Sequence, residues 1–333
     1  MATGTLMRAL TLNPGTSTFK VSLVQDDRAL WTQSVDIASS ESFTELESAF
    51  EAWDTLDAVG VRFGHGGSHH SAPVVLDRAV LEDLERTAGR APRGDPAVAL
   101  AVSRIALEEQ PPVPVVAAFD TTFHASLPQA AATYALPRAG NARNGRRRHG
   151  FHGLSHEYAA HRAADLVGRP VGSLRTVTCH LGSGASLCAV RGGRSVDTTM
   201  EDTLERDSGL RGLTGTGGDL REVMRVAESG DADCRLALEV YGHRLRREIG
   251  AMTASAGGLD VLVFTGGVGE NCAGVRSDAC AGLAHLGVEL DETANHCEPS
   301  DVDIATPGSR VRVLVVTARE DLAIARAVAR VLG

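Results

Sequence analysis

Lysine is nearly missing from this chain. Lys20 is the one lysine among 333 residues, against thirty-two arginines. A site built around Lys20 therefore uses a compact ammonium where the rest of the protein uses planar guanidinium groups. Positive charge is also in deficit overall: 33 basic residues face 42 acidic ones, a formal net charge of −9. No basic field of the kind that draws in nucleic acid or an anionic membrane is present, so an anionic ligand has to be met by local groups. The six cysteines (Cys179, Cys188, Cys234, Cys272, Cys280, Cys297) form no C-x-x-C pair, and the opening MATGTLMRAL carries no apolar run of signal-peptide type. A reduced, cytoplasmic protein is expected. Long apolar runs are lacking too: the stretches at 113–119 and 261–264 fall far short of the ~18–20 residues that span a bilayer, so no membrane-crossing segment is expected.

What is present points to two domains. Hydrophobic residues make up 43% of 333 positions, enough to bury a core in each half. Short β-like runs alternate with helical patterns, the signature of an α/β protein. Strands are expected at 7–12, 20–25, 29–36, 58–63, 113–119, 174–179, 185–191, 260–265 and 310–316. Helices are expected at 42–53, 76–88, 96–109, 155–166, 218–229, 234–254, 274–286 and 320–332, the last with Thr317 ahead of its acidic start.

Two stretches echo each other. LNPGTSTFKVSLV near the N-terminus and CHLGSGASLCAV past the middle each read strand, small-residue turn, strand. Equivalent hairpins in two halves of a chain predict a duplicated domain with a cleft between the copies. Both tips suit phosphate, because backbone N–H groups of Gly15 to Ser17, and of Gly182, Ser183 and Gly184, can approach a phosphoryl oxygen closely. Lys20 and His180 stand near them to supply charge. A third cluster, FTGGVGEN, places Gly266, Gly267, Val268 and Asn271 after an apolar strand and before a helical stretch. Each loop taken singly is also what an ordinary tight turn looks like.

Acid and base candidates gather around Asp120 and His152. Asp120 in AAFDTTFHASLP follows a strand, where side chains emerge at a sheet edge, or it caps a turn. HGFHGLSH brings His149, His152 and His156 close behind Arg146, Arg147 and Arg148, without the spacing of a zinc protease and with too much glycine for one helix. Arginine and histidine beside glycine form a clamp for developing negative charge, although a structural hydrogen bond serves His156 as well. Arg62 in VRFGHGG can grip a carboxylate. Glu320 opens the last helix, where it either binds a metal or satisfies the helix dipole. These residues read as a nucleotide-dependent phosphotransferase.

In order, the blocks LTLNPGTSTFK, VRFGHGG, AAFDTTFHASLPQAAATYALP, RRHGFHGLSHEYAA, TCHLGSGASLCAVRGGRSVDTTM, SGLRGLTGTGGDLREV, DVLVFTGGVGEN and VVTAREDLAIA resemble the acetate kinase family of acetate, propionate and butyrate kinases. The resemblance implies the duplicated, actin-like (ribonuclease H-like) α/β ATPase fold. One lobe would be residues 1–118 with 320–333, the other 119–319. It implies reversible transfer of the ATP γ-phosphoryl to a short-chain carboxylate, giving acyl phosphate and ADP, with Mg2+ (Mn2+ as the alternative ion), in a homodimer. Asn13 and Glu320 match the residues that organise the metal. Asp120, His152, His180 and Lys20 match the catalytic set, and Arg62 the carboxylate-binding arginine. Ser17 and the 182–184 loop match phosphate contacts. Asp219, Leu220, Arg221, Gly266, Gly267, Val268 and Asn271 match the nucleotide pocket.

Two departures stand out. After VDTTM the family continues with a GFTPLEG-like run and a GTRSGD-like loop whose arginine contacts the transition state; here Met200 is followed directly by EDTLERDSGLRGLTG. In the acyl pocket Phe151 is kept, but Gly64 stands where the family has valine and Arg93 where it has leucine. Two readings remain at this stage: a working kinase with relaxed acid selectivity, or a nucleotide-binding relative that lost catalysis with the missing arginine.

Overall fold

The computed structural model describes residues 7–15, 18–36, 56–88, 96–109, 113–135, 147–182, 184–199, 209–296 and 301–333. The helix expected at 42–53 and the site candidates Ser17, Arg93 and Ser183 lie outside the described residues. Two compact units divide the chain. One comprises Met1–Ala125, Phe151–Tyr158 and Arg319–Gly333, the other Ser126–Gly150 and Ala159–Ala318.

The first unit is a six-stranded sheet in the order β3-β2-β1-β4-β6-β5. Its strands are β1 (Arg8–Pro14), β2 (Thr18–Gln25), β3 (Arg28–Asp36), β4 (Ala58–Phe63), β5 (Val74–Val75) and β6 (Val115–Phe119). β1, β2 and β3 form an antiparallel meander, β1, β4 and β6 run parallel, and β5 is an antiparallel edge. The central strands are buried on both faces, as their continuous apolar runs require. On one face Leu10, Leu12, Val59, Val61 and Phe119 meet Leu81, Leu84, Leu100 and Val102 from the helices Arg78–Ala88 and Pro96–Glu109. On the other face, Ala58 and Val116 meet Val328 of the C-terminal helix Glu320–Leu332. Gly60 lets that helix approach: a Cβ there would lie 2.6 Å from Ile324 Cγ2 and 2.8 Å from Val328 Cγ2.

The second unit repeats the plan. Its strands are β7 (Arg175–Leu181), β8 (Ala185–Arg191), β9 (Arg194–Thr198), β10 (Val261–Thr265), β11 (Val302–Asp303) and β12 (Arg312–Val315). They are ordered β11-β12-β10-β7-β8-β9, again a meander, a parallel trio and an antiparallel edge. Read from β3 and from β9, the two orders are identical, so the echo between hairpins is a duplication of whole sheets. The long helix Ala232–Ala256 covers this sheet, burying Leu245, Ile249, Met252 and Ala256 at helical spacing against Val177, Leu262 and Phe264. Asp231 caps its start by accepting the Cys234 N–H at 2.8 Å, and Gly257 ends it at φ 76°.

The expected helix at 274–286 is instead Ala273–Ala281, followed by a separate 3-10 turn Ala284–Leu286. The edge strands β5, β9 and β11 are too short, or too mixed in polarity, to announce themselves. Thr317 does not cap the last helix. Its N–H donates to Asp301 Oδ1 at 2.9 Å, and the helix starts from Arg319 without a side-chain cap.

Candidate active site

In the first unit, the polar residues that close three parallel strands converge. Asn13 and Arg62 are the last residues but one of β1 and β4, and Asp120 follows β6 directly, at the carboxyl edge where α/β sheets place ligands. Arg62 donates from Nε and Nη2 to Asp120 Oδ2 at 3.1 and 2.6 Å. Its Nη1 donates to Asn13 Oδ1 at 3.0 Å and to the Pro14 carbonyl at 3.3 Å. Glu320, first residue of the C-terminal helix, accepts from Asn13 Nδ2 at 2.7 Å and lies 3.6 Å from Arg62 Nη1. Asp120 is 2% exposed and Arg62 15%. Burial pulls the Arg62 pKa down, but Asp120 and then Glu320 more than reverse this, so the guanidinium stays charged. Four of the five N–H donors of Arg62 are spent in these contacts, which leaves one on Nη2. Lys20 stands opposite Asn13 in the β1–β2 ladder, hence on the same face, and is exposed.

The turn 151–153 joins this cluster. Gly153 donates its N–H to the Asp120 carbonyl at 2.8 Å and admits no side chain, since a Cβ would lie 2.1 Å from that oxygen. His152, half-buried, has φ 55°. The Phe151 ring centroid is 6.4 Å from that of His65, next to the half-buried Gly64. Burial lowers the His65 pKa, which favours its neutral form.

In the second unit His180 and Leu181 end β7, and the hairpin closes with the Gly182 N–H donating to the Gly184 carbonyl at 2.9 Å. A Cβ on Gly182 would come within 3.6 Å of His180 Nε2, so the imidazole borders the hairpin tip. Gly266, at φ 79°, passes so close that a Cβ would meet the Leu181 carbonyl oxygen at 2.7 Å. The Gly182–Gly184 hairpin tip and the third glycine cluster therefore adjoin. Gly267, Val268 and Asn271 lie on a short helix, Gly266–Asn271, where the glycine-rich sequence predicts a loop ahead of a later helix. Three glycines in six residues give that helix poor intrinsic propensity, and contacts made elsewhere hold it. Asp219 caps the helix Leu220–Glu228 by accepting the Arg221 N–H at 2.8 Å. The exposed Arg221 side chain folds back onto Asp219, and this hydrogen bond, then that of the backbone, lowers the Asp219 pKa to about 2. Leu220 is buried in the core, and one turn on Met224 Sδ meets Cys272 Sγ at 3.4 Å, just past Asn271.

Further residues, which no local sequence pattern marks as a group, hold these sites together. Glu270 Oε1 accepts the N–H groups of Gly266 and Ala318, each at 2.9 Å, tying the glycine helix to the segment after β12. Arg276, 3% exposed, donates from Nη1 to the Gly269 and Glu270 carbonyls, both at 2.8 Å, and from Nε to Asn295 Oδ1 at 2.7 Å. The fully buried His124 contacts the Phe151 carbonyl at 3.1 Å. A glutamate inside a glycine-rich motif is a readable signal, whereas one arginine among thirty-two is not.

Comparison with known proteins places the chain. The Acetokinase family matches residues 32–203 and 200–326, two pieces that meet where the arginine-bearing segment was expected. An acetate kinase of Synechococcus sp. (strain JA-2-3B'a(2-13)) is 44% identical over 307 residues, covering 82% of this chain and 76% of its own. One of Leifsonia xyli subsp. xyli is 44% identical over 308 residues, covering 81% and 77%. Among solved structures, Porphyromonas gingivalis acetate kinase superposes with a TM-score of 0.84 at 28% identity, over 98% of this chain and 100% of that one. A propionate kinase from Francisella tularensis subsp. tularensis SCHU S4 gives 0.85 at 27% identity, over 98% and 100%. With the two sheets built alike and the strand-end cluster in place, the chain belongs to the acetokinase family.

Proposed function

We propose that the protein is an ATP-dependent carboxylate kinase of the acetate kinase type. It transfers the γ-phosphoryl of ATP reversibly to acetate or another short-chain acid, giving an acyl phosphate and ADP by direct in-line displacement. The observation that carries this reading is the buried Arg62 cluster at the strand ends, in a chain of this family. A guanidinium held by Asp120, Asn13 and Glu320 keeps one N–H for an incoming carboxylate and cannot lose its proton. Gly64 leaves the acyl side next to Phe151 without a branched side chain, which favours acids larger than acetate as co-substrates.

Such transfer needs positioning and charge stabilisation more than covalent chemistry by the protein. Lys20, His152 and His180 supply charge and hydrogen bonds to the equatorial oxygens of the moving phosphoryl. The amides around Gly182 and Gly184 hold phosphate, and Asp219, Leu220, Arg221, Gly266, Gly267, Val268 and Asn271 hold the nucleoside. Asp120 orients Arg62 and the acid. Asn13 and Glu320 touch at 2.7 Å and present hard oxygen donors beside Asp120. That chemistry fits Mg2+, which binds through one or two side chains and keeps its waters, with Mn2+ as the alternative. Asn13 and Glu320 would hold the ion, which would supply charge neutralisation for the transferring phosphoryl group. Family resemblance supports a cytoplasmic homodimer; no helix among the described residues is long and apolar enough to cross a membrane.

A hydroxamate assay for acyl phosphate made from ATP, Mg2+ and acetate or propionate tests the reading, with Asp120→Asn as control. Signal from the wild type and none from the variant is expected. Nucleotide binding without turnover, or equal signal from both proteins, overturns it.

A further inference from the structure

His152 is one of three non-glycine residues with positive φ among the described residues, with Asp26 and Asp27. The two aspartates form the tight turn between β2 and β3, where left-handed backbone is ordinary. His152 lies outside any such hairpin turn, and left-handed backbone is uncommon for a residue with a Cβ, although less so for His than for most. The backbone is pinned on both sides. Ahead of His152, the Phe151 carbonyl accepts a hydrogen bond from His124 Nε2 at 3.1 Å. Behind it, the Gly153 N–H donates to the Asp120 carbonyl at 2.8 Å, and the His156 N–H closes on the His152 carbonyl at 2.9 Å.

His124 is placed for this task and has no direct part in the chemistry described above. It lies four residues past Asp120, on the 3-10 turn Phe123–Ser126, and is fully buried. Its ring stands edge-on to those of Phe123 and His156, each centroid 5.7 Å away. Burial holds its pKa down at about 4, so the ring is neutral at physiological pH. A carbonyl can only accept, so Nε2 carries the proton.

We propose that His124 is a positioning residue: it anchors the Phe151 carbonyl so that the left-handed turn aims the His152 imidazole at the transferring phosphoryl. The proposal rests on the carboxylate kinase reading, in which His152 contacts that group.

The test is a double-mutant cycle on the full chain, read as kcat and KM for ATP and acetate, with a thermal melt for each protein. His124→Phe keeps the ring and removes the donor; His124→Gln restores an N–H near the reach of Nε2, whereas His124→Asn falls short of it. His124→Phe and His124→Asn are expected to lower kcat at least tenfold with KM for ATP within twofold of wild type. His124→Gln should recover most of the loss. In the His152→Ala background, His124→Phe should change kcat less than twofold. An equal fall in both backgrounds overturns the proposal alone, as does a folded His124→Gln protein no better than His124→Asn. Should His124→Phe fail to fold, the Gln and Asn proteins decide the matter. Wild-type kcat in His152→Ala would overturn the reading of His152 and the proposal with it.

Discussion

Arg62 binds Asp120 through two nitrogens and reaches Asn13 through a third, and this fork is what lysine cannot reproduce. Arg62→Lys keeps the charge but breaks a buried, hydrogen-bonded pair, a loss of roughly 2–5 kcal/mol. We expect kcat/KM for the acid to fall at least thirtyfold while KM for ATP stays within a few-fold; an equal rise in both KM values would assign Arg62 to general stability. His124 gives a pH prediction. Its folded pKa of about 4 lies below the ordinary 6.5, so the unfolded chain takes up the proton first as the medium acidifies. The stability this contributes is complete above pH 6.5 and is lost as pH falls toward about 4, on the order of 3 kcal/mol in all. Melting temperature against pH should fall less steeply across that window for His124→Gln than for wild type. Arg62, Asp120 and Glu320 were legible because each is a polar residue at the end of an apolar strand or the opening of a helix, Lys20 because it is alone, and Asn13 only through the family resemblance. His124 and Arg276 were not. Their roles lie in buried contacts to residues 27 and 19 positions away, and no local pattern encodes such pairings.

At the scale of elements, glycines decide how closely the pieces pack. Gly60 sits in mid-strand, where a glycine weakens the strand unless something must come near. What comes near is the C-terminal helix, which also delivers Glu320 to Asn13. Gly60→Ala would force a Cβ to 2.6 Å from Ile324 Cγ2, overpacking that costs about 1–3 kcal/mol. A lowered melting temperature and a raised Mg2+ requirement are expected together, since the same helix carries Glu320, the carboxylate proposed to hold the metal. A lower melting point with unaltered metal dependence would show that the strain is absorbed before it reaches Glu320. The strands 58–63 and 185–191 and the helices 96–109 and 320–332 were readable to the residue, because a buried strand or an amphipathic helix writes its period into the chain. The Gly266–Asn271 helix writes none. Its cohesion comes from the Glu270 carboxylate and the Arg276 guanidinium, both acting from outside any periodic pattern.

The whole molecule is one sheet plan used twice, and the repeated hairpin was enough to anticipate it, although three edge strands were not. What the duplication does not supply is the guanidinium of the segment expected after Met200. The family match breaks at residues 200–203, and the chain covers 76–77% of the two acetate kinases compared. An arginine that meets the phosphoryl only in the transition state contributes to kcat and little to substrate binding, and its absence costs about three orders of magnitude or more. We therefore expect kcat about a thousandfold below that of the Leifsonia xyli enzyme assayed in parallel, with KM values for ATP and acetate within tenfold. Grafting the corresponding segment of that relative after Met200 should raise kcat at least tenfold and leave the KM values in place. Comparable kcat in the two natural proteins would mean that another of the thirty-two arginines has taken over the role, and arginine-by-arginine replacement, starting with Arg206 and Arg211, would then locate it by a loss confined to kcat.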